Sequence, residues 1–513
     1  MNYLLDNNII IDLLSETRAN EYKDSIRVFQ LLEKRKLNTF ISSSSIDNIE
    51  FILFKEIKNK FNHTNRDILK ITHIAIADFL TKVKIAKTPS YIELDYEDIE
   101  DSQIIATAKA IDAKVITRDD RMLQKYQDIA ITPTEFLKTK NQKLKTKIDF
   151  ANLKKQYFMY LPELEKEMDK VLNNASYIMG DAVKKLEENL CKFTGAKNAV
   201  TCSSGTDALL LAMMAIDIKP GDEIITTPFT FIATAETIAL LGAKPVFVDI
   251  DETTYNIDPN KIEEKITPKT KAIIAVSLYG QPCDLDKLKT VTDNYQLSLI
   301  IDGAQSFGAT YKGKAEVHYA DIYTTSFFPA KPLGCFGDGG AVLTNNDELA
   351  QKMRMLRFHG QNKRYHHKYI GLGARMDTIQ CAITDVKLKH YEKDLAKRQE
   401  VAGKYTKLLS NNQYTNTPIT KPDRTSAWAQ YSIRVQNRDN LQASLKEQGI
   451  PTAIHYPMPL HLQECFKYLG YKEGDFPVAE RVSKEIMSLP MNPYLSDEEI
   501  EYIAKEIVNA INN

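Results

Sequence analysis

The sequence predicts an α/β protein. It comprises a small N-terminal α/β unit, a larger unit with a mostly parallel sheet, and a smaller C-terminal α/β segment. Three observations carry this. Short apolar runs alternate with longer helical patterns on both sides of one lysine-rich stretch, as in doubly wound sheets whose strands are buried on both faces. That stretch, Lys138 to Lys147, holds five lysines, no acid and one large apolar residue. It cannot bury a core face and reads as an exposed linker. From about Asp385 the alternation gives way to a long charged helix and a smaller mixed segment. The division that follows is residues 1–137, a linker over 138–147, a large domain over 148–384 and a small domain over 385–513.

In the first unit, Tyr3-Leu4-Leu5 and Lys114-Val115-Ile116-Thr117 read as buried strands, and Asp101 to Ile111 as a helix. In the second, the strands expected are Glu223–Thr227, Lys244–Val248, Ala272–Val276, Leu297–Ile301 and Ile322–Thr325. Helices such as Thr206–Ile216 and Ala233–Leu241 fall between them. Strands of this kind place ligands at their carboxyl ends.

Composition excludes several classes. Of 513 residues, 43% are apolar and 26% charged, ordinary values for a soluble protein. The formal net charge of −1 provides no global field toward nucleic acid or membrane. No stretch approaches the ~18 uncharged apolar residues of a membrane span, and the start, Met1 to Asp6, lacks the pattern of a signal peptide. Six cysteines are scattered without a CxxC pair. This argues against a disulfide framework or zinc site and fits a reducing cytoplasm.

Four separate pieces point to one chemistry. Cys202-Ser203-Ser204-Gly205-Thr206-Asp207 is a small-residue turn opening an apolar helix. Exposed N–H groups and the helix dipole make such a start an anion seat, although alone it equally describes an ordinary N-cap. Leu299-Ile300-Ile301-Asp302 puts an acid at the end of an apolar strand, where a buried carboxylate needs a cation or donors. In Ser326-Phe327-Phe328-Pro329-Ala330-Lys331-Pro332-Leu333-Gly334 a lysine follows a strand among apolar residues. Desolvation there lowers its pKa and frees a neutral amine for Schiff-base formation. Gly371-Leu372-Gly373-Ala374-Arg375 is a turn-rich loop with one arginine.

With Pro228-Phe229-Thr230-Phe231-Ile232-Ala233-Thr234, these pieces resemble the DegT/StrS sugar aminotransferases, over about Ile148 to Asn513. The resemblance implies the fold-type I aminotransferase fold and the cofactor pyridoxal 5'-phosphate. It implies that Lys331 holds the cofactor covalently and shuttles a proton, and that Asp302 pairs with the pyridine nitrogen. Gln305 would sit near the ring's 3-hydroxyl. Gly205, Thr206 and Ser326 would bind the phosphate, and Phe231 would stack on the ring. Some relatives carry histidine at the lysine position and act as dehydratases; Lys331 therefore favours transamination.

Within that family the chain looks most like enzymes that aminate C3 of UDP-2-acetamido-2-deoxy-3-oxo-glucuronate, with glutamate as the expected donor, for a surface glycan. The segments that carry this are Asp302 to Ala309, Gly337 to Gly340 and Arg375 to Gln380. Arg375 can grip a carboxylate bidentately, and His455 and Tyr456 match further substrate contacts. The resemblance implies a homodimer in which the Arg375 loop reaches the neighbour's site. Many relatives carry asparagine where this chain has Gly373, so a side-chain contact to the neighbour's phosphate is missing here. A neutral 4-keto-6-deoxy nucleotide sugar is the alternative acceptor.

Residues 1–137 resemble a PIN domain, the fold of many metal-dependent ribonucleases, through Tyr3 to Asn8, Ile41 to Ser45, Glu100-Asp101-Ser102 and Ile116 to Asp120. The resemblance implies Asp6, Asp101 and Asp119 as ligands for Mg²⁺ or Mn²⁺, and RNA as a candidate partner. Clustered carboxylates repel unless such a cation joins them. One acid of the usual pattern is replaced by Asn48, with Asp47 and Glu50 beside it. A metabolic aminotransferase is the favoured reading, and a bifunctional chain or an RNA-acting regulator are the alternatives.

Overall fold

The computed structural model describes residues 2–14, 24–25, 27–29, 31–32, 37–60, 72–73, 75–77, 79–86, 99–139, 148–410 and 414–512. The chain divides into two compact units, Met1–Thr146 and Lys147–Asn513. Of the expected linker, Lys138 and Thr139 end the Pro133–Thr139 helix; residues 140–147 lie outside the described residues.

In the first unit five strands form one parallel sheet: β1 (Asn2–Leu5), β2 (Asn38–Ser42), β3 (Lys84–Ala86), β4 (Ala113–Ile116) and β5 (Ala130–Ile131). Their order is β3-β2-β1-β4-β5. Tyr3, Leu4, Leu5, Val115 and Ile116 are buried, as expected of strands covered on both faces. The order reverses between β1 and β4, which opens a crevice at their carboxyl ends, where Asp6 and Thr117 stand. The helix expected over 101–111 spans Ile99–Ala110.

The second unit is organised around a seven-stranded sheet. Its strands are β6 (Asn198–Cys202), β7 (Glu223–Thr226), β8 (Lys244–Phe247), β9 (Thr270–Val276), β10 (Ser298–Asp302), β13 (Ile322–Ser326) and β14 (Gly340–Thr344). They run in the order β6-β14-β13-β10-β9-β7-β8. All the paired neighbours are parallel except at β14, which is antiparallel to both β13 and β6. A small hairpin of β11 (Thr310–Tyr311) and β12 (Lys314–Ala315) leads into β13. Apolar clusters cover both faces of the large sheet, one around Ile273, Leu299 and Ile301 and the other around Ile274, Ile300 and Val342. The alternation along β9 and β10 feeds both, because successive side chains point to opposite faces.

An exposed hairpin, β15 (Gln361–Lys363) with β16 (His366–His367), precedes the long helix Thr378–Leu409. That helix starts seven residues before the charged pattern that announced it. Its first turns, Thr378 and Cys381 to Leu388, are buried, so they carry few of the charges by which an exposed helix is read. The expected 384/385 domain division falls inside this helix. Beyond it, β17 (Thr415–Asn416), β18 (Tyr431–Val435) and β19 (Ile486–Leu489) form an antiparallel sheet. The Arg438–Glu447 and Asp497–Asn512 helices pack on it through Leu441, Leu445, Ile503 and Ile507. Among the described residues no helix is long and apolar enough to cross a membrane.

Candidate active site

Central strand β10 delivers Asp302 to the carboxyl edge of the sheet, where it is 7% exposed. Its Oδ2 accepts from Thr234 Oγ1 at 2.8 Å and its Oδ1 from the Ala304 N–H at 3.2 Å. Burial raises the carboxyl above its ordinary pKa; those two donors and the nearby Lys331 charge act in the opposite direction. Thr234 lies in the first turn of the Ala233–Leu240 helix, and its hydroxyl also meets that of Thr230 at 3.1 Å.

Neighbouring strand β13 runs into the loop that carries Lys331. The loop doubles back: the Cys335 N–H donates to Phe327 O at 2.7 Å and the Lys331 N–H to Phe328 O at 2.8 Å. A Cβ on Gly334 would lie 2.5 Å from Pro329 O, so only glycine allows this return. The Thr378–Leu409 helix anchors the loop through Lys387, whose Nζ donates to Gly334 O at 2.7 Å and stands 4.5 Å from the Phe336 ring centroid. Lys331 Nζ hydrogen-bonds to none of the described residues. Burial lowers its pKa, while Asp302 pulls it upward. An amine so placed has a neutral fraction available for attack on a carbonyl.

The third corner is the start of the Gly205–Ala215 helix. Ser204 caps it, its Oγ accepting from the Asp207 N–H at 3.0 Å. Ser203 and Ser204 hydroxyls donate to Asp207 Oδ2 at 2.6 and 2.9 Å, which turns that acid back onto the cap. A Cβ on Gly205 would lie 2.6 Å from Ser326 Cβ. Glycine is what lets the helix start close against the end of β13, bringing Gly205, Thr206 and Ser326 to one anion-seeking point.

Aromatic and amide groups form the remaining wall. The exposed ring of Phe231 lies 6.3 Å from that of Tyr456. Gln305 Nε2 donates to Tyr456 Oη at 3.3 Å and Gln305 Oε1 accepts from the Tyr279 N–H at 2.7 Å. The His455 carbonyl accepts from the Tyr279 hydroxyl, and His455 Nδ1 pairs with Ser488 Oγ at 2.9 Å. Burial, reinforced by the Lys331 charge, lowers His455 to about 4, so it is neutral near pH 7. Burial raises the Tyr456 phenol, with the Asp302 charge adding to it.

The structure thus gathers Gly205, Thr206, Phe231, Asp302, Gln305, Ser326, Lys331, His455 and Tyr456 around one cavity of about 540 Å³. Arg375 is not among its lining residues. Its guanidinium stands 4.8 Å from the Phe358 ring centroid, beside the Phe358–Gly373 bridge. The cavity also includes Thr230, Phe328, Asp338 and Gln430, and Thr234 buttresses Asp302 from behind. Thr230, Thr234, Phe328 and Asp338 lay within quoted motifs without a role of their own. Gln430, remote in sequence, gave no signal.

A half-buried amine with no hydrogen bond to the described residues, a carboxylate across the cavity, a helix start and an exposed aromatic face fit a phosphorylated pyridine aldehyde. Lys331 would hold its carbonyl carbon, Asp302 its ring nitrogen, and Gly205, Thr206 and Ser326 its phosphate.

In the first unit the expected metal ligands follow β1 and β4 and lie in the Ile99–Ala110 helix. Asp6 is 2% exposed; its Oδ1 accepts from the Asn7 N–H at 2.6 Å and its Oδ2 from Thr117 Oγ1 at 2.7 Å. Asp119 caps the Asp120–Lys125 helix through the Met122 N–H at 2.7 Å. Asp101 sits half-buried in the Ile99–Ala110 helix. Buried Asp12, which sequence reading passed over, is ion-paired with Arg118 and accepts from Ser25 Oγ at 3.0 Å. Among the described residues no group of three His, Cys, Asp or Glu side chains is placed to share a metal ion. The Asp47 side chain lies outside the described residues.

Comparison with known proteins agrees with these two units. The DegT/DnrJ/EryC1/StrS aminotransferase family is matched over residues 161–508 and the PIN domain over residues 2–121. The UDP-2-acetamido-2-deoxy-3-oxo-D-glucuronate aminotransferase of Pseudomonas aeruginosa is 47% identical over 363 residues, which are 71% of this chain and all of that protein. The crystal structure of S. venezuelae DesV in complex with a ketimine intermediate superposes with a TM-score of 0.70 at 34% identity, covering 72% of this chain and 99% of that one. NtdA from Bacillus subtilis with bound cofactor PMP superposes with a TM-score of 0.68 at 27% identity, covering 81% and 98%.

Proposed function

Because the chain belongs to the DegT/DnrJ/EryC1/StrS aminotransferase family, we propose that it transfers an amino group, from glutamate, to a nucleotide-linked keto-sugar. The acceptor in this reading is UDP-2-acetamido-2-deoxy-3-oxo-glucuronate, aminated at C3 for a surface glycan. The observation that carries the reaction is the convergence of Lys331, Asp302 and the Gly205 helix start on one cavity. The similarity to the Pseudomonas aeruginosa enzyme supports the choice of sugar.

Pyridoxal phosphate, when bound, supplies an electrophilic carbon for the amino group and a ring that takes up the electrons left by a lost proton. The protein does the rest. Lys331, freed by the incoming amine, moves the proton from the donor's α-carbon as general base and returns one as general acid. Asp302, its ionised form favoured by Thr234 and Ala304, keeps the ring nitrogen protonated. Gly205, Thr206 and Ser326 would hold the phosphate, Phe231 would cover one ring face, and Gln305 would lie toward the 3-hydroxyl. His455, neutral near pH 7, and Tyr456 meet the substrate as uncharged partners. In the second half of the cycle the keto-sugar enters and the same groups act in reverse.

Arg375 is the proposed partner of the uronate carboxylate, supplied by the neighbouring subunit of a homodimer. Its absence from the cavity of its own chain and the exposed apolar side chains of Phe158, Met159, Tyr177, Ile178, Met179 and Phe336 support that assembly. Arg375→Ala should lower kcat/KM for a uronate acceptor far more than for a neutral 4-keto-6-deoxy sugar. Equal losses on both would count against the carboxylate role.

The deciding test is the absorbance spectrum of the protein with pyridoxal phosphate before and after glutamate. A visible band that glutamate converts to a near-ultraviolet one, and that Lys331→Ala never forms while remaining folded by circular dichroism, establishes the first half-reaction. A band that glutamate leaves unchanged would exclude it as the donor, and Lys331→Ala retaining substantial turnover would overturn the assignment.

A further inference from the structure

The loop that carries Lys331 is closed at its base and held along its return by a helix. At the base the Phe327 N–H donates to Gly339 O and the Cys335 N–H to Phe327 O, both at 2.7 Å. The returning arm, Gly334 to Phe336, meets the Thr378–Leu409 helix at two points. Lys387 Nζ donates to Gly334 O at 2.7 Å, and Gln380 Oε1 accepts from the Phe336 N–H at 2.8 Å. These two side chains are two helical turns apart and so share one face. Gly334 in turn packs against the outgoing arm, where an added Cβ would lie 2.5 Å from Pro329 O and 2.7 Å from Phe328 O. A shift of Gly334 is therefore passed to the residues that lead into Lys331.

A lysine is an unfavourable choice for this contact on grounds of stability. Lys387 is 4% exposed, and among the described residues its Nζ makes one hydrogen bond where an ammonium has three protons to place. Taking an ammonium out of water costs more than one hydrogen bond to a carbonyl returns. The Phe336 ring, 4.5 Å away, offsets part of this, yet burial still lowers the amine to about 8 against the pull of Cys335 and Asp394. Stability does not account for the amine, but its reach does. The long stem carries a donor from the helix to the backbone three residues after Lys331. Local rules of folding are broken in this way where a site must be held in one geometry.

We propose that Lys387 is a positioning residue for Lys331: its hydrogen bond to Gly334 fixes the arm on which Phe328 and Pro329 rest, and so fixes where the Lys331 amine stands when it takes the donor's α-proton. The proposal rests on the proton-shuttle role given to Lys331 above. Lys387 does not line the cavity and acts only through the loop. Proton transfer is the step most sensitive to such a shift, because the base must lie within hydrogen-bond reach of the proton it removes. The phosphate corner at Gly205 and Thr206 belongs to another element and stays in place.

The test compares the full chain with Lys387→Met, which keeps the length and removes the donor, and with Gln380→Met, which frees the same arm at Phe336. Each protein, loaded with pyridoxal phosphate, is mixed with glutamate and with glutamate deuterated at the α-carbon. In both variants the rate of spectral conversion should fall about 10- to 100-fold. KM for glutamate and the pyridoxal phosphate concentration that saturates the visible band should stay within about threefold of wild type. The ratio of protiated to deuterated rates should be at least as large as in wild type, since the loss falls on the proton step. In the cofactor-free protein, hydrogen exchange of residues 327–336 should quicken while Tm shifts by only a few degrees. Variants that convert glutamate at the wild-type rate would overturn the proposal and leave the Lys331 reading intact. A smaller isotope ratio would overturn it by placing the loss in binding or release, and lost cofactor saturation by making Lys387 a support of the cofactor pocket. Unchanged exchange in 327–336 would break the link between Lys387 and the loop. If Lys387→Met does not fold, Gln380→Met alone decides. A wild type without glutamate-dependent conversion would remove the Lys331 reading, and this inference with it.

Discussion

Thr234 donates a 2.8 Å hydrogen bond to Asp302, joining the first turn of one helix to the end of the central strand. Without that donor, the buried carboxyl has one fewer reason to stay ionised, and its pKa rises further. A protonated Asp302 no longer holds the pyridine nitrogen in its charged form. Thr234→Val should therefore lower kcat of the glutamate half-reaction by about 10- to 100-fold and move the acid limb of its pH profile upward. Thr234→Ser, which keeps the hydroxyl, should restore most of both. A Val variant with an unshifted pH profile would show that Thr234 only packs.

Gly205 makes a different prediction because its role is space. An added Cβ would meet Ser326 Cβ at 2.6 Å, so the helix start and the end of β13 must part. Overpacking of this kind costs about 1–3 kcal/mol, and here it falls on the phosphate corner. Gly205→Ala should weaken pyridoxal phosphate binding by about tenfold or more, read from titration of the visible band, while Tm of the cofactor-free protein shifts by only a few degrees. Unchanged cofactor affinity would detach Gly205 from the phosphate.

Glu316 contributes to stability in the opposite pH direction from an ordinary carboxylate. It is 1% exposed and accepts from the hydroxyls of Ser277 and Ser306. Burial nevertheless outweighs both donors and pushes it up to about 7 from an ordinary 4.5. The folded state then binds more protons than the unfolded state between about pH 4.5 and 7. The stability tied to this proton is fully present below about pH 4.5 and is lost as pH rises through 7. Glu316→Gln keeps a donor and an acceptor for the two serines and removes the titration. Across that window the variant should gain on wild type by an amount on the order of 3 kcal/mol, measured by urea unfolding at pH 4.5 and 8. A constant difference between the two curves would show that Glu316 titrates normally.

The parts of this protein legible in the sequence were those with local signatures. Strands such as β10 are continuous apolar runs, so Asp302 could be placed at a strand end from Leu299-Ile300-Ile301-Asp302 alone. The small-residue turn before the Gly205 helix was equally plain. The contacts that complete the site are not local. Thr234 reaches Asp302 across 68 residues, and Gln430 joins a cavity whose lysine lies far earlier in the chain. Their residue types have no preferred spacing from their partners, so no motif could carry them. The Thr378 helix start was legible only from the turn-rich Gly371–Asp377 loop before it: the first turns of the helix are buried, and the charged pattern that marks an exposed helix begins only afterwards.

In the first unit the acid expected of a metal site does structural work. Asp6 ties the start of the Asn7–Leu14 helix to the end of β4 through the Asn7 N–H and the Thr117 hydroxyl. Asp6→Ala would strand both donors in a buried place, at a cost of about 2–3 kcal/mol. Because Met1–Thr146 forms its own compact unit, calorimetry should show one transition lowered by several degrees and the other, together with glutamate-dependent spectral conversion, kept at wild-type values. Asp6→Asn retains an acceptor for Thr117 and should lose less. If the full chain cleaves RNA with Mn²⁺, and that cleavage survives Lys331→Ala but vanishes in the folded Asp6→Asn variant, Asp6 is a metal ligand and the chain is bifunctional. If Asp6→Asn leaves every such activity at background while Asp6→Ala lowers only the first transition, the residue's role is the hydrogen-bonded tie between β1 and β4.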